Sequence, residues 1–592
     1  MQVAVALFMV VFGLFQSSPP ADADQILNQL SKIQIDKKQI RSIRDITIRR
    51  DVLTISLNRG VIAFLQPVQG KVTGAVFIGS GEIVAIPPDS IERQQIYKFT
   101  GTPILNEAFQ TAILRFTDDT YDELIKEISQ HAEEDVSADD AAQFDSLDKS
   151  LAARSTGLNL RLLADFLEPT SKTFFLGQLN GDKRGWFDVV FDTRAAEEVS
   201  IFQVHEAGGT TAGDVWASFN QRSEARNREA VAHEHKSPFD ILSYEIDGTV
   251  GPDNKIDAKA TTRIKARREA ARVLNFDLAP TLRVVSVETD AGAVPYYQYP
   301  NARSFVTVLP ALKRDQELTL RFTYAGQANG FEPWYPSQYQ QTIPSLKSGI
   351  TIRRDNPVTI FDYSGHQVAP ASYHDQWLIE ALTRYVGAMN GRPNDPDGTE
   401  LRKLLSNARN ELKGIESSGP IWLGQRLTST ITPDAYRAVY AKGVWVIHML
   451  RGLLRQDTAN SDAKFIALLQ EFAQMYSDKA ASTWDFKHLA EKYANKNLDW
   501  FFDQWVFATG LPSYSVEYKI AGSGSEFMIE GTITQMGVPD GFVMSVPIYA
   551  DSESLGTVQV GESDGQFKFR VSKKPERLAI DPEMTILTAV SP

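Results

Sequence analysis

Eight histidines and no cysteine set the chemistry open to this chain of 592 residues. Without thiols, disulfides, thiolate nucleophiles, iron–sulfur clusters and cysteine-based zinc sites are excluded. Any metal site must be built from His, Asp or Glu. The histidines are His131, His205, His233, His235, His366, His374, His448 and His488. His233-Glu234-His235 has a metal-like composition, but side chains at i and i+2 diverge on a strand and on a helix, so a solvated loop is expected there. His366, His374, Glu380 and His448 are ligand types without ligand spacing, the raw material of a rebuilt site at most. Ser/His/Asp catalysis is not expected.

The elements that must position these residues fall into blocks. Over 24–200, alternation at Leu53, Ile55 and Leu57 predicts half-buried strands mixed with helices. Gly79-Ser80-Gly81 reads as a hairpin turn, and Asn180-Gly181 as the turn of a second hairpin. The acidic stretch 131–148 reads as a solvated helix end or loop. Over 201–336, the segments SYEIDGTV, TLRVVSVETD, SFVTVLP and ELTLRFTYAG are short and broken by Gly, Pro, Asn and Asp, the pattern of a β-sandwich or open barrel. Over 337–512 the period becomes helical, with Trp377, Leu378, Ala381, Leu382, Tyr385 and Met389 on one face. Over 513–592, Tyr514, Val516, Tyr518 and Ile520 alternate, as do Phe567, Phe569 and Val571, predicting a small β-sandwich. The fold class expected is multidomain α+β.

Lys+Arg 61 against Asp+Glu 74 gives a net charge of −13. No basic excess is available for phosphate neutralisation, so no nucleic-acid partner is expected. Residues 3–15 form one apolar run, shorter than the roughly 20 residues needed to span a bilayer. Ala21-Asp22-Ala23 follows with a small-x-small pattern. Residues 1–23 therefore read as a signal peptide, the chain as secreted or periplasmic, and no stable transmembrane anchor is expected after cleavage. An uncleaved anchor is the alternative, since the first residues carry no Lys or Arg.

Three helical segments carry a resemblance: HDQWLIEALTRY (374–385), VYAKGVWVIHML (439–450) and WFFDQWVFATGLPSY (500–514). In this order they resemble the membrane alanyl aminopeptidases, the aminopeptidase N-like zinc metallopeptidases. The resemblance implies that 201–336 is that family's N-terminal β domain, that 337–512 is a truncated thermolysin-like, mainly helical catalytic domain, and that 24–200 is an accessory unit. It also implies zinc, held by H-E-x-x-H on one helix and a Glu on the next. Glu380 stands at the position of that third ligand, with Ala381 where the family usually has Gly. Tyr440, in Tyr440-Ala441-Lys442-Gly443, stands at the family's oxyanion-stabilising position.

Counting back from Glu380 by the family's spacing puts the two histidines at Pro357 and Phe361, and the general base at Val358. None of the three residue types survives. Only 337–356 separate Pro336 from that point, too few for the family's small sheet and substrate-binding strand. A single carboxylate does not make a catalytic zinc site. The expectation is an exported homologue that is catalytically inactive, holds no cofactor, and binds a peptide or an exported protein. The alternative is a zinc-dependent metallo-aminopeptidase working through a rebuilt site, or a truncated version of one. Glu380 is further expected to pair with Arg384 one turn on, or to take a solvated position in a cleft.

Overall fold

The computed structural model describes residues 21–589 apart from 131–135, 138, 140, 146, 148–150, 152–157, 169–173, 208–209, 225–227, 233–235, 252–254, 280, 300–303, 328–347, 355–367, 391–397, 457–461, 478, 525 and 563. The chain is mixed α+β, with β-rich units before and after a helical region.

The first unit is an eight-stranded antiparallel meander in sequential order: β1 (Ile35–Arg50), β2 (Leu53–Leu65), β3 (Gly74–Ala85), β4 (Leu105–Phe116), β5 (Phe174–Gly181), β6 (Gly185–Asp192), β7 (Val199–Ala207) and β8 (Thr210–Phe219). The sheet thus runs on past residue 200, so β7 and β8 belong to this first unit. Both of its faces are buried. Leu53, Ile55 and Leu57 share one core as their alternation predicts, yet Ile62 and Phe64 join that same core while Val61, Ala63 and Leu65 face the other. The reversal follows from a register shift between Leu57 and Arg59, because one extra residue swaps every later side chain to the opposite face.

Gly79-Ser80-Gly81 is not a hairpin turn. It lies inside β3 at this crowded point, where a side-chain carbon on Gly60 would come within 2.2 Å of the Ile78 carbonyl oxygen. The second hairpin turns at Asp182–Arg184, just after Asn180-Gly181, with Gly181 paired to Gly185.

Helix α1 (Ala21–Ser31) covers one face, joined by α4 (Leu158–Leu167), after α2 (Ser90–Thr100) and α3 (Thr120–Ile128). Ala23 is buried there, inside α1, and Asp24 accepts a hydrogen bond from the Tyr297 hydroxyl at 2.7 Å. Helix α2 is cut to length by its ends: the Asp89 side chain accepts from the Glu92 N–H, and Gly101 ends it in the left-handed conformation at φ 75°. That fixes Glu92 in the first turn.

The second unit packs a six-stranded sheet against a three-stranded one around Phe239, Phe276, Phe305 and Phe322. Its strand Ser348–Arg354 pairs in parallel with Phe239–Val250, so this part of 337–512 extends the preceding sheet instead of opening the helical region. The helical region holds α5 (Gln376–Asn390), α6 (Thr399–Glu411), α7 (Arg437–Gln456), α8 (Ala463–Met475), α9 (Thr483–Ala494) and α10 (Asp499–Trp505). Two three-stranded sheets close the described chain and share the core of the helices through Ile529, Val546 and Leu587.

Candidate functional site

The helices that carry Glu380 and Tyr440 are started and spaced by local chemistry. Ser372 and Asp375 form a reciprocal cap ahead of α5, and Asp375 also accepts from the Thr483 N–H and hydroxyl at 2.7 and 2.8 Å, tying α5 to α9. Trp377 and Tyr385 are fully buried on the inner face, as the helical period predicts. Helix α7 crosses α5 at Gly443, where an added side-chain carbon would lie 3.0 Å from the Ala381 methyl and 3.2 Å from the Trp377 carbonyl oxygen. Small residues at this crossing let the helices approach closely.

That approach brings Glu380 and Tyr440 into one cluster. The Tyr436 ring meets the Tyr440 ring edge-on at 4.9 Å, and the Arg384 guanidinium lies over the Tyr440 ring, 4.3 Å from its centroid. Arg384 is thus placed against the phenol ring. Burial lifts both tyrosine hydroxyls above their ordinary range; the hydrogen bond between them raises Tyr436 and lowers Tyr440, and the Glu380 carboxylate raises each. Both phenols are therefore protonated donors at neutral pH.

Residues 360–505 match the peptidase family M1 domain. The helical region is similar to that domain. No curated protein matches the chain. Among solved structures, an M1 zinc metallopeptidase variant from Deinococcus radiodurans, bound to a Tyr-Ser-Ala substrate, aligns at 14% identity over 46% of this chain and 95% of that one, with a TM-score of 0.35. Aminopeptidase A of Legionella pneumophila, in complex with aspartic acid, aligns at 10% identity over 60% of each chain, with a TM-score of 0.41.

M1 aminopeptidases are zinc enzymes, and the described donors of this M1-like region do not fit that ion. Among the described residues, no three His, Asp or Glu side chains gather as a metal group. His374 has both ring nitrogens engaged, Nδ1 at 2.8 Å from the Trp422 carbonyl oxygen and Nε2 at 2.8 Å from the Glu197 carboxylate, and its ring stacks on Trp422 at 3.6 Å. His448 is engaged likewise: the Tyr385 hydroxyl donates to Nδ1 at 2.8 Å, and Nε2 faces the Met584 carbonyl at 3.0 Å. That carbonyl only accepts, so Nε2 carries a proton. Burial pushes His448 down to about 4. Among the described residues, Glu380, His374 and His448 thus do not gather into the rebuilt site of the alternative reading. His205 bonds Asp214 at 3.1 Å, and His488 lies 3.5 Å from Glu229. Pro357–Phe361, His366, His131, His233 and His235 lie outside the described residues.

Lys442, in the same motif as Tyr440, is buried, donates to the Ala508 carbonyl at 3.0 Å, and is pushed down by burial to about 7. One further pattern bears on nucleophilic catalysis. Gly561-Glu562-Ser563-Asp564-Gly565 has the G-x-S-x-G spacing, although Ser/His/Asp catalysis is not expected from the sequence. It joins strand Glu553–Val560 to strand Gly565–Val571, whereas a nucleophile elbow needs a strand followed by a helix.

A buried polar cluster at the edge of the helical region was not legible in the sequence. Arg426 makes a double hydrogen bond to Glu92, at 2.8 and 2.7 Å, with both side chains about 1% exposed. The Ser218 N–H donates to Glu92 at 2.9 Å, and the Tyr373 hydroxyl donates to Glu197 at 2.8 Å. Burial works against ionised Glu197, but His374 and then Arg426 outweigh it and hold the carboxyl below its usual range. Acids of the first unit thus meet bases of the M1-like region. The same segment is fastened again at Thr430, whose N–H donates to Asp214 at 2.7 Å, and at Thr432, which accepts from Lys98 at 2.8 Å. Four residues beyond Thr432 stands Tyr436.

Among the described residues, no helix is long and apolar enough to cross a membrane.

Proposed function

We propose that this protein is an exported M1-type homologue that does not hydrolyse peptides and acts as a binding or scaffold protein for a peptide or another exported protein. The observation that carries the reading is in the chain itself: H-E-x-x-H occurs nowhere in the 592 residues, and Pro357–Phe361 stands where the spacing from Glu380 requires it. Support comes from His374 and His448, whose ring nitrogens face a carbonyl, a carboxylate and a hydroxyl, and so cannot compensate for the missing pair without breaking buried hydrogen bonds. Without a metal to activate water, the phenols of Tyr436 and Tyr440 have no oxyanion to stabilise and become donors for a bound ligand. Export is read from residues 1–23, and cleavage after Ala23 would remove the first turn of α1.

The test is zinc content by elemental analysis on dialysed full-length protein, together with release of amino-terminal residues from aminoacyl amides. Absence of zinc and of turnover, in a protein that melts cooperatively, is the expected result. About one zinc per chain, with chelator-sensitive turnover lost in Glu380→Ala, would overturn it and restore the zinc aminopeptidase reading.

A further inference from the structure

The strand Ser513–Ser523 forms one edge of the first closing sheet. It pairs with Glu526–Met536 along its whole length with no register shift. Its other side carries no strand among the described residues; the Ala589 N–H reaches the Pro512 carbonyl at 2.8 Å, just ahead of the strand. An open edge presents a row of unpaired backbone donors and acceptors, which proteins commonly blunt with proline, bulges or added charge. Ser515–Ala521 has no proline and no bulge, and its single Lys is matched by a Glu two residues away. The opposite edge of the same sheet, Gly565–Val571, carries Lys568 and Arg570 and no acid, so it repels its own kind.

The open edge is complementary to itself. Val516 and Ile520 pack half-buried against the core, while Glu517 and Lys519 are exposed. Antiparallel pairing with a second copy, centred on Tyr518, sets Glu517 opposite Lys519 of the second copy and Lys519 opposite its Glu517. Val516 then meets Ile520 of the second copy, and Tyr518 meets its own counterpart. Centring the pair on Glu517 or on Lys519 instead puts like charges face to face, which is unfavourable. Slipping by one residue turns the core-facing side chains of one copy towards the solvent side of the joint sheet. Charge and alternation thus select one register. Across the sheet, Lys519 lies opposite Glu530, and Glu530 lies opposite Lys568 and is ion-paired with it. Lys519 has no ion-pair partner among the described residues, and Glu517 of a second copy continues the alternation of sign. Tyr518, 37% exposed in the single chain, gains a ring to lie against.

We propose that two copies of this chain associate edge to edge through Ser515–Ala521, antiparallel and centred on Tyr518, joining their three-stranded sheets into one continuous sheet about a two-fold axis. The same patch serves both partners, as a closed two-fold contact requires. Paired edge strands bury little surface, so the dimer forms and dissociates with concentration.

The test is sedimentation equilibrium of the full chain over a wide range of concentration, with a melting curve on every variant. A monomer–dimer equilibrium is expected for the parent. Glu517→Lys and Lys519→Glu each set like charges opposite one another at both ends of the contact, and each should weaken the dimer by about tenfold or more. Both positions are exposed, so melting temperatures of the monomers should not change. An equimolar mixture of the two single variants should associate again, because the edges that repel themselves attract each other. The double variant, with the charges exchanged, should dimerise like the parent. A parent that stays monomeric throughout, a dimer that both single variants leave unchanged, or single variants that fail to recover on mixing would overturn the proposal.

Discussion

Gly443 lies directly against Ala381, with room for no more than a hydrogen between α7 and α5. The contact matters because the cluster of Glu380, Arg384, Tyr436 and Tyr440 exists only while these helices stay close. Gly443→Val should force them apart and destabilise the chain by about 1–3 kcal/mol, as overpacking of a tight contact does. Urea denaturation monitored by tryptophan fluorescence measures this; an unchanged midpoint would mean the crossing is looser than described.

The Arg426–Glu92 pair joins the first unit to the M1-like region from inside a buried interface. Glu92→Gln leaves a buried guanidinium without its counter-charge and should cost about 3–5 kcal/mol. Replacing both partners, Glu92→Leu with Arg426→Met, should recover most of that loss, because the penalty belongs to the unmatched charge. A double-mutant cycle from chemical denaturation reads the coupling directly.

His448 makes stability depend on pH in a defined window. Burial lowers it to about 4, against about 6.5 for an unfolded histidine. The unfolded chain therefore binds the proton first, and stability contributed above pH 6.5 is lost as pH falls towards 4, by about 3 kcal/mol in all. His448→Gln should flatten the profile across that window, measured as denaturation midpoint against pH. A profile as steep as the parent's would assign the dependence to other groups.

Lys442 acts at the alkaline end. Its buried ammonium is pushed down to about 7, while an unfolded lysine holds its proton to about 10.4. Between those values the unfolded chain binds more protons, so stability should rise as pH rises from 7 to 10. Lys442→Met, which keeps the packing and removes the charge, should raise the melting temperature at pH 7 and abolish the alkaline rise. A large loss of stability would show instead that the bond to the Ala508 carbonyl dominates.

The sequence made the elements legible where one period governs them. The face of α5 through Trp377, Ala381 and Tyr385 and the short strands of 239–327 follow from local pattern. Alternation failed beyond Leu57, because a register shift reverses the faces without leaving any mark in composition. Gly79-Ser80-Gly81 misled for a related reason: glycine marks close backbone approach inside a strand as well as a turn. The juxtaposition of Glu380 and Tyr440 was available only through resemblance to a family. Glu92, Glu197 and Arg426 gave no signal at all, since each looks like an ordinary surface charge until the chain brings partners more than a hundred residues away to meet it.

The fastening of Arg426, Thr430 and Thr432 onto Glu92, Asp214 and Lys98 limits how this architecture can be shuffled. The first unit is not a cassette that recombination can exchange freely. A donor unit lacking Glu92 and Asp214 at those places would leave the Arg426 charge stranded beneath the segment leading to Tyr436. The two parts must therefore be inherited, or engineered, as a matched set.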